Sequence, residues 1–347
     1  MSADFPYAHV SALLRAELAR AGVPEADLPL AGIAGSRRAY YRARTVGGTG
    51  LILLVSPPDD ADFGRFLRLT QFYRLLGVPV PKVFAIDDDA RQVLLEDLGT
   101  RRLYDLLRSD RAAGLAACRR SLELLVDLQT RCDAFRHESP DIASRTFDRN
   151  QLLWETSYYR ENYLEGHRGL KAASTLASLA EALAARVDAH PRAIMHRDYQ
   201  SQNLMIAEDG VVRVIDYQGS RYGSIFYDAA SLLLDPYVML ADDEIEGLLT
   251  HFHAKLMEAG DFAGRAQAAG GEPHRAGPAL PGKDDAAFRT AFLEAGLQRV
   301  MQALGAYCFL SRRKGIAAFA DHIPAGEARL RWLIRQTDGA WSPFLPE

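Results

Sequence analysis

The residue types best suited to chemistry gather in one stretch, IMHRDYQSQNLMIAEDGVVRVIDYQG, positions 194–219. Asp198 follows an apolar, strand-like triplet, Asn203 comes five residues later, and Asp216 closes a second apolar run 18 residues beyond Asp198. A turn at Glu208, Asp209 and Gly210 lets Leu204–Ala207 pair with Val211–Ile215 and bring Asp216 back beside Asn203. Asn203 and Asp216 then offer hard oxygen ligands of the kind Mg²⁺ prefers. Asp198 is placed to accept a proton from an attacking hydroxyl. Asp and Asn also favour turns for ordinary reasons. The three together, at these spacings, turn the reading toward chemistry. His196 reads as a brace for the loop, and Asp228, opening a helix that runs to Leu234, as a helix cap.

Two kinds of element must position this stretch. An amphipathic helix over 7–22 precedes three strand-like segments, Leu28–Ile33, Arg38–Thr45 and Leu51–Val55. Pro57 and Pro58 end the third strand, Asp59 and Asp60 sit where a helix cap belongs, and a helix over 59–76 follows. Two more strands, Val83–Ile86 and Gln92–Leu95, complete an antiparallel sheet with one helix against it. Beyond Leu103 the pattern changes to long helices, over 112–131, 148–165, 172–189, 242–258 and 285–310, interrupted by one short strand pair. The expected class is α+β. Residues 1–98 form a small antiparallel β-sheet lobe ending in a hinge at Glu96–Gly99, and residues 99–347 a large, mainly helical lobe. Within the latter, 259–284 is rich in Gly, Ala and Pro and reads as a mobile insertion.

Composition narrows the function. Lys and Arg number 41 against 45 Asp and Glu, a net charge of −4, which offers no basic excess to hold a nucleic-acid backbone. No apolar run is long enough to span a bilayer. The start, MSADFPYAHVSALLRAEL, lacks a basic stretch followed by an apolar core, so a cytoplasmic protein without a secretory signal is expected. Three cysteines with no C-x-x-C pair remove a disulfide scaffold and a zinc site.

HRDYQSQN followed by VIDYQG resembles the catalytic loop and metal-binding strand of the eukaryotic-like kinase superfamily, whose H-R-D-x-x-x-x-N pattern carries phosphoryl transfer. Too few residues separate Asp216 from Tyr227 and Asp228 for a regulatory activation loop. The resemblance therefore points to the aminoglycoside and choline kinase-like phosphotransferases. GSRRAYYRAR (35–44), LLGVPVPKVFAID (75–87), LLEDLGTRRLYDLL (94–107), DRNQLLWE (148–155), IDYQGSRYGSIFYDAASLL (215–233) and GLQRVMQALGAY (296–307) are similar to segments of the anomeric N-acetylmuramate/N-acetylglucosamine kinases of cell-wall recycling.

This resemblance implies a bilobal protein-kinase-like fold with ATP and Mg²⁺ in its cleft. It makes Asp198 the catalytic base and Asn203 and Asp216 the metal ligands. It also implies an amino-sugar acceptor and a sugar 1-phosphate product, which a sugar-1-phosphate nucleotidyltransferase would take next. The backbone at Glu96 and Leu98 would hold adenine. Relatives of the antibiotic-modifying type place a lysine where Leu54 stands, and the 59–76 helix has no glutamate to partner it. Ser36, in a turn between strands, and Arg38 or Arg42, on one face of the second strand, are the candidates to grip phosphate; solvated edge arginines are the alternative. Asp148, Glu155 and Arg299 are the acceptor candidates, with Trp154 and Tyr158 offering an apolar face and Arg299 a partner for a substrate carboxylate. Solvated helix faces would explain the same pattern. The rival functions are an aminoglycoside or other small-molecule phosphotransferase, and a nucleotide-binding pseudokinase.

Overall fold

Ser11 starts the first helix because its hydroxyl accepts the Leu14 N–H at 3.3 Å, satisfying an end group that the helix itself cannot. The resulting α1 (Ala12–Arg20) buries Leu14 and Leu18. These pack on the alternating residues of β2 (Ala39–Arg44) and β3 (Gly50–Val55), which follow β1 (Leu30–Ile33). Tyr41 lies opposite Leu53 and Ala43 opposite Leu51, so a single register puts all four on the buried face. The β2–β3 turn requires a left-handed residue, which Gly48 supplies at φ +84°. After the prolines, α2 (Phe63–Leu75) turns Phe63, Phe66, Leu69 and Tyr73 inward. With β4 (Val83–Asp87) and β5 (Gln92–Glu96) the antiparallel sheet has the order β1-β2-β3-β5-β4.

The computed structural model describes residues 10–23, 28–33, 37–171, 175–207, 209–259, 285–337 and 339–345. Ser36 and, but for Ala259, the expected insertion at 259–284 lie outside them. The described chain divides into two units. Residues up to Arg101 join 205–218 in the first; 102–204 and 219 onward form the second. A single boundary at 98/99 does not anticipate that return of 205–218.

The second unit is helical: α3 (Leu103–Ser109), α4 (Arg111–Asp127), α5 (Pro140–Ala143), α6 (Arg149–Tyr159), α7 (Thr175–Asp188), α8 (Ile225–Leu233), α9 (Asp242–Ala259), α10 (Asp285–Cys308) and α11 (Ile323–Gln336). Two strand pairs complete the chain. β6 (Arg192–Met195) pairs with β9 (Arg221–Ser224), and β7 (Leu204–Ile206) with β8 (Val212–Val214). Several expected boundaries need correction. The helices over 112–131 and 148–165 leave α geometry at Asp127 and Tyr159 and continue as wider π turns, Leu128–Cys132 and Arg160–His167. The β6–β9 pair was not expected, because each strand has four residues and finds its partner only across a long loop. α11 was missed because charged residues interrupt its apolar stripe. Helix α10 packs closely at Gly305, where an added Cβ would lie 3.0 Å from the Tyr159 Cα.

Cys118, Cys132 and Cys308 are free and buried. Burial pushes each thiol up to about 12, which keeps them inert. Among the described residues no helix is long and apolar enough to cross a membrane.

Candidate active site

In the second unit, β6 delivers the chain into a loop that its own residues do not hold. Arg197 takes φ +81°, a conformation that costs a non-glycine residue about 1–3 kcal/mol unless its surroundings enforce it. The enforcement comes from Asp228. That residue is not a cap: Ser224 caps α8, accepting from Phe226 N at 3.2 Å, and Asp228 lies inside the helix with no exposed surface. Its carboxylate accepts the His196 N–H at 2.6 Å and the Arg197 N–H at 2.8 Å. Two loop amides that face the core otherwise lack acceptors, which is why an acid stands in an apolar helix. Burial pushes the Asp228 carboxyl up to about 6 despite these donors. Further along, Asp235 accepts both the Ser201 N–H at 2.9 Å and its hydroxyl at 2.6 Å.

Within this frame the His196 ring is buried and its Nδ1 accepts the Asp198 N–H at 3.2 Å. The Asn203 amide donates to the Asp198 carbonyl at 2.9 Å, which leaves Oδ1 as the acceptor end of the side chain. The Asp198 side chain keeps 31% of its surface. Packing alone would raise its carboxyl, but the charges of Arg197 and Arg299 win and hold it below the usual carboxylate range. The anion is the resting form.

In the first unit, Asp216 follows β8 at φ +64°, a conformation aspartate tolerates. The Gln218 amide donates to its Oδ1 at 2.5 Å. Next to it Tyr217 shares a hydrogen bond with Thr70 of α2 at 2.6 Å and stacks on Phe66. Arg38, just before β2, is 2% exposed and donates through Nε to Asp60 at 2.6 Å, its guanidinium over the Phe66 ring. Asp60 is thus spent on Arg38 and on the Ser56 hydroxyl at 2.6 Å. The helix start lies at Phe63, where Asp62 makes no side-chain cap. Arg38 and Asp60 thus form a buried arginine–aspartate pair at the start of β2. Arg38 Nη2 is buried and has no partner. The Tyr40 phenol is raised, chiefly by burial; the Arg38 charge opposes the rise and that of Asp216 adds to it, so all three share one patch.

Arg42 bridges β2 to the segment after β5, pairing with Asp97 at 2.7 Å and donating to the Gly99 carbonyl at 3.2 Å. The amides of Glu96 and Asp97 are taken by the carbonyls of Lys82 and Gly50. Among the described residues Leu98 gives and takes no backbone hydrogen bond. These features fit a magnesium-nucleotide. In the first unit an orphaned buried guanidinium nitrogen suits phosphate, an uncommitted backbone unit suits a base edge, and the Asp216 carboxylate suits magnesium; in the second, the Asn203 oxygen suits magnesium by itself. Among the described residues no cluster of three or more His, Cys, Asp or Glu is placed to hold a metal. Magnesium bound partly through phosphate oxygens needs none.

The three acceptor candidates lie in the second unit. Asp148 caps α6, accepting from Gln151 N at 3.1 Å. Glu155 is fully buried, accepting from the Tyr227 hydroxyl at 2.8 Å and lying 3.5 Å from Arg197 Nη2. Arg299 is buried on α10. On α6, by contrast, Trp154 is 53% exposed and stacks on Tyr158 at 5.3 Å and 13°. The sequence reads Asp60 and Asp228 as helix caps, which the structure corrects, and does not single out Asp235. A lone acid inside the mainly apolar run after Ser224 was the available signal for Asp228.

Comparison with known proteins adds three findings. The family described as "Phosphotransferase enzyme family" matches residues 30–307. The N-acetylmuramate/N-acetylglucosamine kinase of Pseudomonas putida is 26% identical over 306 residues, 87% of this chain and 82% of that protein. Among solved structures, choline kinase from Cryptosporidium parvum superposes with a TM-score of 0.58 at 14% identity, covering 97% of this chain and 98% of that one. An ADP-bound aminoglycoside phosphotransferase superposes at 0.56, with 12% identity and 92% and 99% coverage.

Proposed function

The chain belongs to the phosphotransferase enzyme family and is an ATP-dependent small-molecule phosphotransferase; within that class we propose that it phosphorylates the anomeric hydroxyl of an N-acetylated amino sugar. The observation that carries this reading is the similarity to amino-sugar kinases, which runs through both units and most of each relative's length. The exposed Trp154–Tyr158 stack supports it, since a sugar ring needs an apolar face to lie on.

Each residue then has a task. Asp198, held as an anion, accepts the hydrogen bond of the acceptor hydroxyl and takes its proton as transfer proceeds. An anomeric hydroxyl gives up that proton more readily than its neighbours because the ring oxygen withdraws electron density, so a weakly basic carboxylate suffices. Asn203 and Asp216 offer oxygen to magnesium, which supplies charge neutralisation to the transferred group. Arg38 Nη2 meets phosphate, and Leu98 meets the adenine edge. The product is a sugar 1-phosphate, the kind of compound a nucleotidyltransferase consumes.

The test is an acceptor panel with ATP and Mg²⁺, read by phosphorus NMR. N-acetylglucosamine or N-acetylmuramate is expected to give a 1-phosphate, and the 1-O-methyl glycoside to be inert. A 6-phosphate, or an active 1-O-methyl glycoside, would overturn the anomeric assignment and leave the family standing.

A further inference from the structure

Arg299 has an unusual set of partners for a buried cation. Nε donates to Ser231 of α8 at 2.9 Å, Nη1 to Gln302 one turn along α10, and Nη2 to Gln200 of the catalytic loop at 3.0 Å. All three acceptors are neutral. Among the described residues its ion-pair partner is Asp198, whose Oδ1 lies 3.6 Å from Nη2. The other acids nearby are committed elsewhere: Asp235 to Ser201 and the Tyr237 N–H, and Glu155 to the Tyr227 hydroxyl and Arg197. Withdrawing a guanidinium from water costs several kcal/mol when no carboxylate grips it, and a neutral side chain of similar volume would hold α8 and α10 together more cheaply. The charge has a reason to be there only in relation to Asp198.

The distance matters as much as the charge. At 3.6 Å the arginine lies beyond hydrogen-bond reach of the carboxylate. A bidentate pair would occupy the lone pairs that the acceptor hydroxyl needs. Arg299 instead fixes the direction in which the carboxylate presents its anion while leaving its oxygens open. An arginine committed to a substrate carboxylate would need an open fork, and this one has every nitrogen engaged and 6% of its surface exposed.

We propose that Arg299 is a positioning residue for Asp198, held by Gln200, Ser231 and Gln302 so that its charge orients the carboxylate that receives the acceptor hydroxyl. The proposal rests on the reading of Asp198 given above. It is tested by kcat and KM for Arg299→Met and Arg299→Lys with N-acetylglucosamine and with N-acetylmuramate, which adds a carboxylate, each repeated in an Asp198→Asn background. Arg299→Met should lower kcat about 10–10²-fold for both sugars while KM stays within about threefold, and Arg299→Lys about 3–10-fold. In the Asp198→Asn background neither substitution should lower kcat much further, because residues acting through one another are not additive.

An unchanged kcat, a fully additive loss, or a KM effect confined to N-acetylmuramate would each overturn the proposal. Should Arg299→Met fail to fold by thermal melting, Arg299→Lys decides alone: a fall in kcat absent from the Asp198→Asn background supports it, and no fall overturns it. If the wild type accepts neither sugar, the amino-sugar reading fails by itself. The cycle is then run on the alcohol the enzyme does accept, so the two failures are told apart.

Discussion

Arg38 in the first unit and Arg299 in the second are both buried arginines, yet they are held in opposite ways. Arg38 hydrogen-bonds a carboxylate, Asp60, that is itself nearly buried, and keeps one nitrogen without a partner. Arg299 gives all its nitrogens to neutral oxygens and stands off from its carboxylate. The first arrangement neutralises the cation locally and leaves a single donor for a ligand. The second keeps the charge available to a neighbouring catalytic group. The acids differ too: Asp60 holds Arg38, Ser56 and the neighbouring Asp62 N–H, whereas Asp228 and Asp235 hold the distant backbone that carries Asp198. On the reading proposed above, one unit would supply a grip for phosphate and the other a direction for a hydroxyl.

The largest effect should come from Asp198→Asn, which keeps the shape and removes the proton acceptor. Turnover should fall roughly 10²–10⁴-fold with nucleotide affinity little changed. Asp216→Ala should weaken Mg-ATP binding as well as rate, measured by calorimetry beside steady-state kinetics. Near-normal turnover of Asp198→Asn would remove the catalytic side of the comparison.

Arg38→Ala leaves the nearly buried Asp60 without its counter-ion, keeping only the Ser56 hydroxyl and the Asp62 N–H, and should cost about 3 kcal/mol of stability. Below its melting temperature it should bind Mg-ATP at least about tenfold more weakly, the loss of one charged hydrogen bond. Arg42→Ala should do less, since Asp97 is its main partner, and the exposed Arg119→Ala nothing. Equal affinities across the three would leave the Arg38–Asp60 pair as structure alone.

Asp228→Ala leaves the His196 and Arg197 amides without acceptors. About 1–3 kcal/mol for each should appear in denaturant melts, and kcat should fall because Arg197 no longer has its conformation enforced. A variant that loses neither would show that the loop holds itself.

The smallest effect concerns pH. Burial raises the Asp133 carboxyl to about 6, against the pull of Arg136. Its folded value lies above its unfolded one, so its contribution to stability is fully present below the unfolded value and is lost as pH rises through about 6. Between pH 7 and pH 5 this group should add about 1 kcal/mol to the wild-type fold. Asp133→Asn should lack that gain in parallel urea melts; an identical gain in both proteins would contradict the assignment.

Much of this was legible beforehand because it is local. Strand alternation from Ala39 to Val55, the turn at Gly48 and the order Asp198, Asn203, Asp216 depend on residues close in the chain, where periodicity and turn chemistry act directly. The expected helices ran past their true ends at Asp127 and Tyr159, because a short stretch of wider turn continues the coil and too few residues follow for the apolar period to show the change.

What sequence determined by itself was the chemical inventory: which acids and amides stand in the loop, and that a strand lysine and a helix glutamate are missing. Only the tertiary structure decided what each long-range group does. Asp60 could be a cap or a counter-ion, Asp228 a cap or a backbone anchor, and Arg299 a substrate ligand or a neighbour of Asp198. A side chain's role follows from which unsatisfied donor or charge is brought within about 4 Å of it. The deciding partners are remote: Arg38 lies 22 residues from Asp60, His196 32 from Asp228, and Gln200 99 from Arg299. No local pattern encodes such a meeting, because it is settled by how helices and strands pack.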